Sequence, residues 1–371
     1  MSSDLDAARV IDVTAFRQLL GWLKEQGYRV VGPAVRDGAI AYDDIASPED
    51  LPRGWTDEQA PGHYRLKRRD DAALFGYAVG AHSYKRLFHP PWETLWQARR
   101  EHEALRFQCM PSPARRLALI GVRACEIRAI AIQDRALMER DPLYRARRAD
   151  TFIAAVNCTT PSGTCFCASM DAGPQVSTGF DLALTELSDA EPPVLVVRAA
   201  TRAGREALAA LTHRAATESE IAAGATAVRH AAERMGRQMP PGDLPQQLRN
   251  LEHPRWSAVA ERCLACGNCT MVCPTCFCTT VHDTSDLTGR GISRARHWDS
   301  CFTVEFSYVH GGSVRPSTRS RYRQWMTHKL ATWPQQFGTS GCVGCGRCIT
   351  WCPVGIDITE ELAALAREAA G

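Results

Sequence analysis

Two cysteine runs near the C-terminus constrain this chain more than any other feature: CLACGNCTMVCP from Cys263 to Pro274 and CVGCGRCITWCP from Cys342 to Pro353. Each reads C-x-x-C-x-x-C-x-x-x-C-P. A 4Fe-4S cube needs four thiolates at tetrahedral directions, and C-x-x-C-x-x-C places three of them on one tight loop around one side of the cube. The loop cannot supply the fourth. In two-cluster proteins the distant cysteine before the proline ligates the other cluster. Crossed ligation therefore predicts Cys263, Cys266, Cys269 and Cys352 around one cluster, and Cys342, Cys345, Cys348 and Cys273 around a second. Gly267, Gly344 and Gly346 fall where a backbone amide must approach a sulfur closely. Zinc also uses C-x-x-C pairs, but it closes with four ligands and does not account for two complete four-cysteine runs each ending in proline.

The chain has 16 cysteines among 371 residues, and those from Cys263 to Cys352 form a local concentration that reads as metal binding. A disulfide framework belongs to small secreted domains. The opening MSSDLDAARV carries Asp4 and Asp6 and leads into no apolar core segment, so no secretory leader is expected and a reducing, cytoplasmic setting is. No apolar run approaches the roughly 18 residues a membrane span needs. The formal charge of +3 counts neither thiolates nor iron. Each cluster with its four thiolates carries about −2, so the basic excess reads as partial compensation for buried cluster charge.

A second tier of cysteines lies upstream: Cys109, Cys125 in GVRACE, Cys158 in VNC, and the C-F-C of Cys165 and Cys167. Cys125 and Cys158 each follow a predicted strand, so both belong at strand ends where a sheet presents ligands. Cys125, Cys158, Cys165 and Cys167 are candidate ligands of a third 4Fe-4S cluster; the alternative is buried free thiols. Cys276, Cys278 and Cys301 follow the first run, and packing beside a cluster is favoured for them over ligation.

At this length two domains, or two with a small appendage, are expected. Phe16, Leu19, Leu20 and Leu23 recur at helical spacing, with Asp12 or Thr14 as cap and Gly27 as stop; the β-rich stretch after them is broken by Asp37-Gly38, a tight-turn dipeptide. Residues 1–60 are expected to form a helix-plus-hairpin appendage. From 61 to 240, LALIGV, TFIAAV and PVLVV alternate with helical runs, which predicts an α/β (α+β) domain with a partly parallel sheet. RQMPPGDLPQQ is the linker candidate near 240. Residues 241–371 read as helices around cysteine loops with no strand ladder. The whole is a multidomain chain ending in a mainly α-helical ferredoxin-like domain.

No G-x-G-x-x-G opens a helix and no P-loop occurs, so neither flavin nor nicotinamide is expected in this chain. No catalytic constellation is found. The basic and aromatic residues between Arg294 and Lys329 read as a solvated face, a counter-charge shell for the clusters or a docking surface, since no complete nucleic-acid recognition motif accompanies them.

The chain resembles the iron-sulfur β subunit of cytoplasmic nickel-iron hydrogenases of the sulfhydrogenase type and the related iron-sulfur relay subunit of anaerobic sulfite reductase. The likeness rests on LPRGW, PGHYRL, GVRACEIRAI, DPLYRARR, FDLALTEL, WDSCF and RSRYRQWMTHK together with both cysteine runs, over about residues 50–362. It implies a non-catalytic electron relay between a flavin subunit that exchanges electrons with NAD(P)H and a catalytic partner, either nickel-iron hydrogenase small and large subunits or the sulfite reductase catalytic subunit. A standalone iron-sulfur binding or sensing module is the reading from another class.

Overall fold

The computed structural model describes residues 7–102, 104–109, 116–190 and 192–368. Its strands are β1 (Arg9–Ile11), β2 (Arg29–Arg36), β3 (Ala39–Asp44), β4 (Trp55–Ala60), β5 (His63–Arg68), β6 (Trp92–Glu101), β7 (Ala104–Cys109), β8 (Leu117–Val122), β9 (Phe152–Val156), β10 (Leu182–Leu187), β11 (Val194–Ala199), β12 (Arg214–Ala215), β13 (Thr279–Ser285) and β14 (Gly291–Trp298), with two further two-residue strands beyond. Eight of them form one sheet in the order β12-β1-β11-β10-β9-β8-β2-β3. Its centre, β2, β8, β9 and β10, is parallel, and its flanks are antiparallel.

Local chemistry explains the first elements. Asp12 accepts from the Ala15 amide at 2.7 Å and starts the helix Val13–Glu25, whose Phe16, Leu19, Leu20 and Leu23 are buried. That face packs with Phe75, Ile120, Phe152 and Leu184 on one side of the sheet. Asp37 and Gly38 both take positive φ, 48° and 74°, as the β2–β3 turn requires. On the other side, Leu119, Val122 and Ile153 pack with Tyr84, Phe88, Ile130 and Tyr144.

Two expectations need correction. The first 60 residues are no appendage, because β1, β2 and β3 are built into the eight-stranded sheet. Sequence-distant pairing decides this: β2 takes β8 as its parallel neighbour and β1 lies between β11 and β12. Nor is the C-terminal part a mainly helical unit without strands. Helices Arg255–Arg262, Thr318–Thr327 and Ile358–Glu368 do pack around Trp256, Tyr322, Trp325 and Leu362. Yet β13 and β14 form a hairpin that joins β6 and β7 in a four-stranded antiparallel sheet, β14 running from Gly291 opposite Arg99 to His297 opposite Trp92. Most of β13 is exposed, so its sequence lacks the apolar alternation that marks a half-buried strand.

Candidate iron-sulfur centres

The helix Arg255–Arg262 ends at Cys263, and the chain then enters a loop in which Ala265 (φ 51°) and Gly267 (φ 75°) are left-handed. The second run repeats this at Gly344 (φ 63°) and Gly346 (φ 76°). The positive angles turn successive amides inward: the Ala265 amide donates to the Cys263 sulfur and that of Gly344 to Cys342, both at 3.4 Å. Glycine is required at 344 and 346 for a second reason. A Cβ at 344 would stand 2.6 Å from the Phe166 carbonyl, and one at 346 would stand 2.5 Å from that of Thr164. The second loop therefore docks directly on the C-F-C segment, where the Phe166 amide donates to the Gly344 carbonyl at 2.8 Å.

Cys263, Cys266 and Cys269 share one cavity with Cys352 from the other run. The Ile356 amide donates to the Cys352 sulfur at 3.3 Å. Burial pushes the thiols of Cys263 and Cys269 up, with Cys352 and Cys266 adding to both. The second quartet assembles likewise. The Cys348 thiol is driven well up by burial and then by Cys342, Cys345 and Cys273, and Cys342 is pushed up to about 12 by burial. Cys348 also lines the first cavity, so the two quartets are neighbours. Cys263, Cys266, Cys269 and Cys352 thus lie around one cavity, and the thiols of Cys342, Cys345, Cys348 and Cys273 stand close to one another beside it.

Cys273 departs from this pattern. A hydrogen bond from the Cys276 thiol, together with the Lys329 ammonium, holds it well below the usual thiol range. Lys329 is 4% exposed, and its Nζ lies 3.3 Å from the Cys273 sulfur, 3.1 Å from Thr275 Oγ1 and 3.1 Å from the Gly341 carbonyl. Burial alone would lower its pKa, but Cys273, Cys276 and Cys342 keep the amine charged.

The upstream thiols converge as well. Cys125 opens the helix that follows β8, and Cys158 lies just past β9, both at the carboxyl ends of parallel strands, where open α/β sheets place ligands. Cys165 and Cys167 come from the C-F-C loop, and all four line one cavity with Cys345 of the second quartet in its wall. Ser162 Oγ stands 3.1 Å from the Cys165 sulfur, whose thiol burial pushes up to about 12. Cys109 ends β7, and its side chain lies outside the described residues.

Sequence reasoning passed over a fully buried ion pair between the upstream thiols and the second quartet. Arg347, 0% exposed, pairs with Glu126, 1% exposed, and its Nε donates to the Gly80 carbonyl at 2.7 Å. Glu126 adjoins Cys125 in the chain and Arg347 lies against Cys345. An Arg within a C-x-x-C-x-x-C loop and a Glu after a ligand candidate were the available signals.

The donor sets fit iron-sulfur chemistry. Each is made of thiols alone, the preference of iron-sulfur clusters and of zinc. Among the described residues no group of three or more His, Cys, Asp or Glu side chains is placed to hold a single metal ion. No helix among the described residues is long and apolar enough to cross a membrane.

Thiol quartets knitted from two cysteine loops and seated on an α/β sheet define an iron-sulfur electron-transfer protein. Residues 262–356 match the 4Fe-4S dicluster domain family. The chain is also 32% identical over 253 residues to sulfhydrogenase 2 subunit beta of Pyrococcus furiosus, covering 67% of this chain and 73% of that protein. The chain belongs to the family of these hydrogenase beta subunits.

Proposed function

We propose that the chain is the electron relay of a nickel-iron hydrogenase complex, carrying electrons between a flavin subunit that exchanges them with NAD(P)H and the catalytic subunits. The observation that carries this reading is the continuity of the thiols. Cys125, Cys158, Cys165 and Cys167 share a wall with Cys345, and Cys348 of the same quartet shares a wall with Cys263, Cys266, Cys269 and Cys352.

On this reading Cys263, Cys266, Cys269 and Cys352 hold one 4Fe-4S cluster, Cys342, Cys345, Cys348 and Cys273 a second, and Cys125, Cys158, Cys165 and Cys167 a third. Such clusters supply one-electron chemistry at potentials tuned by charge, hydrogen bonds to sulfur and burial. The protein's own part is to set those terms. The amides of Ala265, Gly344 and Ile356 donate to ligand sulfurs, and Lys329 and Arg347 place buried positive charge beside the second site. Leu264 (63% exposed) and Val354 (39%) leave the first site at the surface, and Cys266 is itself exposed. That edge is where electrons enter or leave.

Anaerobic purification of the chain with its natural partners tests the reading. Nickel and flavin should accompany it. Siroheme in place of nickel would mean the sulfite reductase relay, and a stable monomer with no flavoprotein partner would mean a standalone module.

A further inference from the structure

Besides Cys109, three cysteines stand outside the quartets: Cys276, Cys278 and Cys301. Expected to pack beside a cluster, they line one open cavity of about 500 Å³. The hairpin brings them together. Thr279 of β13 pairs with Trp298 of β14, so Cys278 and the segment Asp299–Cys301 meet at its open end, where the Asp299 amide donates to the Cys278 carbonyl at 2.9 Å.

The trio also touches both of the crossed quartets. Cys276 lies beside Cys273, with Lys329 Nζ 3.5 Å from one sulfur and 3.3 Å from the other. Cys301 packs against the same core cluster as Cys269. A second buried lysine, Lys85, donates to the Cys276 carbonyl at 3.2 Å and lies 3.7 Å from the centre of the Trp298 ring. Lys329 lines the pocket and Lys85 stands behind Cys276, so positive charge gathers on the side of the pocket where these thiols lie. Arg140 and Arg315 add positive charge to the lining.

We propose that Cys276, Cys278 and Cys301 hold a further 4Fe-4S cluster, whose fourth, non-cysteine position faces the cavity. The proposal goes beyond the relay reading and is independent of which partners the chain serves. Its place, between Cys273 and Cys269, is beside the main line of thiols rather than at an end of it. A cluster with one iron facing open, cation-lined space can take a small anionic or thiophilic ligand.

Two measurements on the full-length chain, prepared anaerobically with its clusters, test this. The triple variant Cys276→Ser/Cys278→Ser/Cys301→Ser should lose about four iron and four acid-labile sulfide per chain relative to the parent while the remaining clusters keep their low-temperature paramagnetic signals. An unchanged iron count overturns the proposal. Should the variant not fold, alkylation of the native parent with iodoacetamide, read by mass spectrometry, decides. Protection of all three cysteines supports the site. Their modification while the quartet cysteines stay protected overturns it and leaves the relay reading intact, whereas modification of the quartets too is a failure of that reading.

Discussion

Replacing Arg347 by Met removes the guanidinium from a site where both members of the ion pair are essentially inaccessible to water. The Glu126 carboxylate then stays buried, with the Tyr84 amide at 3.2 Å as a hydrogen bond too weak to replace a charge. The carbonyls of Gly80 and His82, which Arg347 contacts at 2.7 and 3.1 Å, also lose a donor. Removing one partner of such a pair costs about 3–5 kcal/mol, whereas replacing both by apolar or neutral groups of similar size is often close to neutral. That is a large part of a typical total stability of about 5–15 kcal/mol. The assay is anaerobic thermal unfolding of the cluster-loaded chain at a fixed scan rate. At roughly 2 °C per kcal/mol for a chain of this size, Arg347→Met should lower the midpoint by about 6–10 °C. The double variant Arg347→Met/Glu126→Gln should recover most of that loss. A midpoint shift under about 2 °C in the single variant, or no recovery in the double, would refute the idea that the pair locks the sheet domain to the second cysteine loop.

Other expectations follow from individual groups. Lys329→Met takes away the positive charge nearest Cys273, so the second cluster should become harder to reduce; a redox titration followed by paramagnetic resonance should show a shift to more negative potential, and an unmoved potential would count against the placement. His89 is 1% exposed, and burial, aided by Arg296 and Lys85, lowers its pKa to about 3. The folded state therefore resists a proton that the unfolded chain accepts near pH 6.5, so this group's contribution is full above that pH and is lost as the pH falls toward 3. The loss is about 2 kcal/mol at pH 5, and His89→Leu should be less acid-sensitive than the parent in denaturant titrations at pH 5 and 7. Gly344→Ala forces a Cβ against the Phe166 carbonyl at positive φ, which should cost about 1–3 kcal/mol and release iron from the second site, measured as iron per chain after gel filtration.

Much of this was legible before any fold was known, because the strongest signals are local. The helix over Val13–Glu25, the Asp37-Gly38 turn and strands β8, β9 and β11 follow from periodicity and turn chemistry within a few residues. The crossed quartets are drawn from the sequence because a three-cysteine loop must borrow its fourth ligand. What escaped depends on distant partners. Nothing within residues 9–44 says that β2 will lie beside β8, and β13 announces itself by no apolar face. The roles of Arg347, Lys329 and Cys301 are likewise set by what stands opposite them in space. A basic residue in sequence does not reveal whether its charge is solvated or enclosed among thiols.

Iron and sulfide counting on the anaerobically purified chain, joined to low-temperature paramagnetic resonance after reduction, asks whether crossed cysteine runs cage adjacent cubes. At least about eight iron and eight sulfide per chain are expected, with a reduced spectrum broadened by coupling between neighbouring clusters. A chain that instead holds zinc and gives no signal on reduction would contradict that arrangement and the relay built on it.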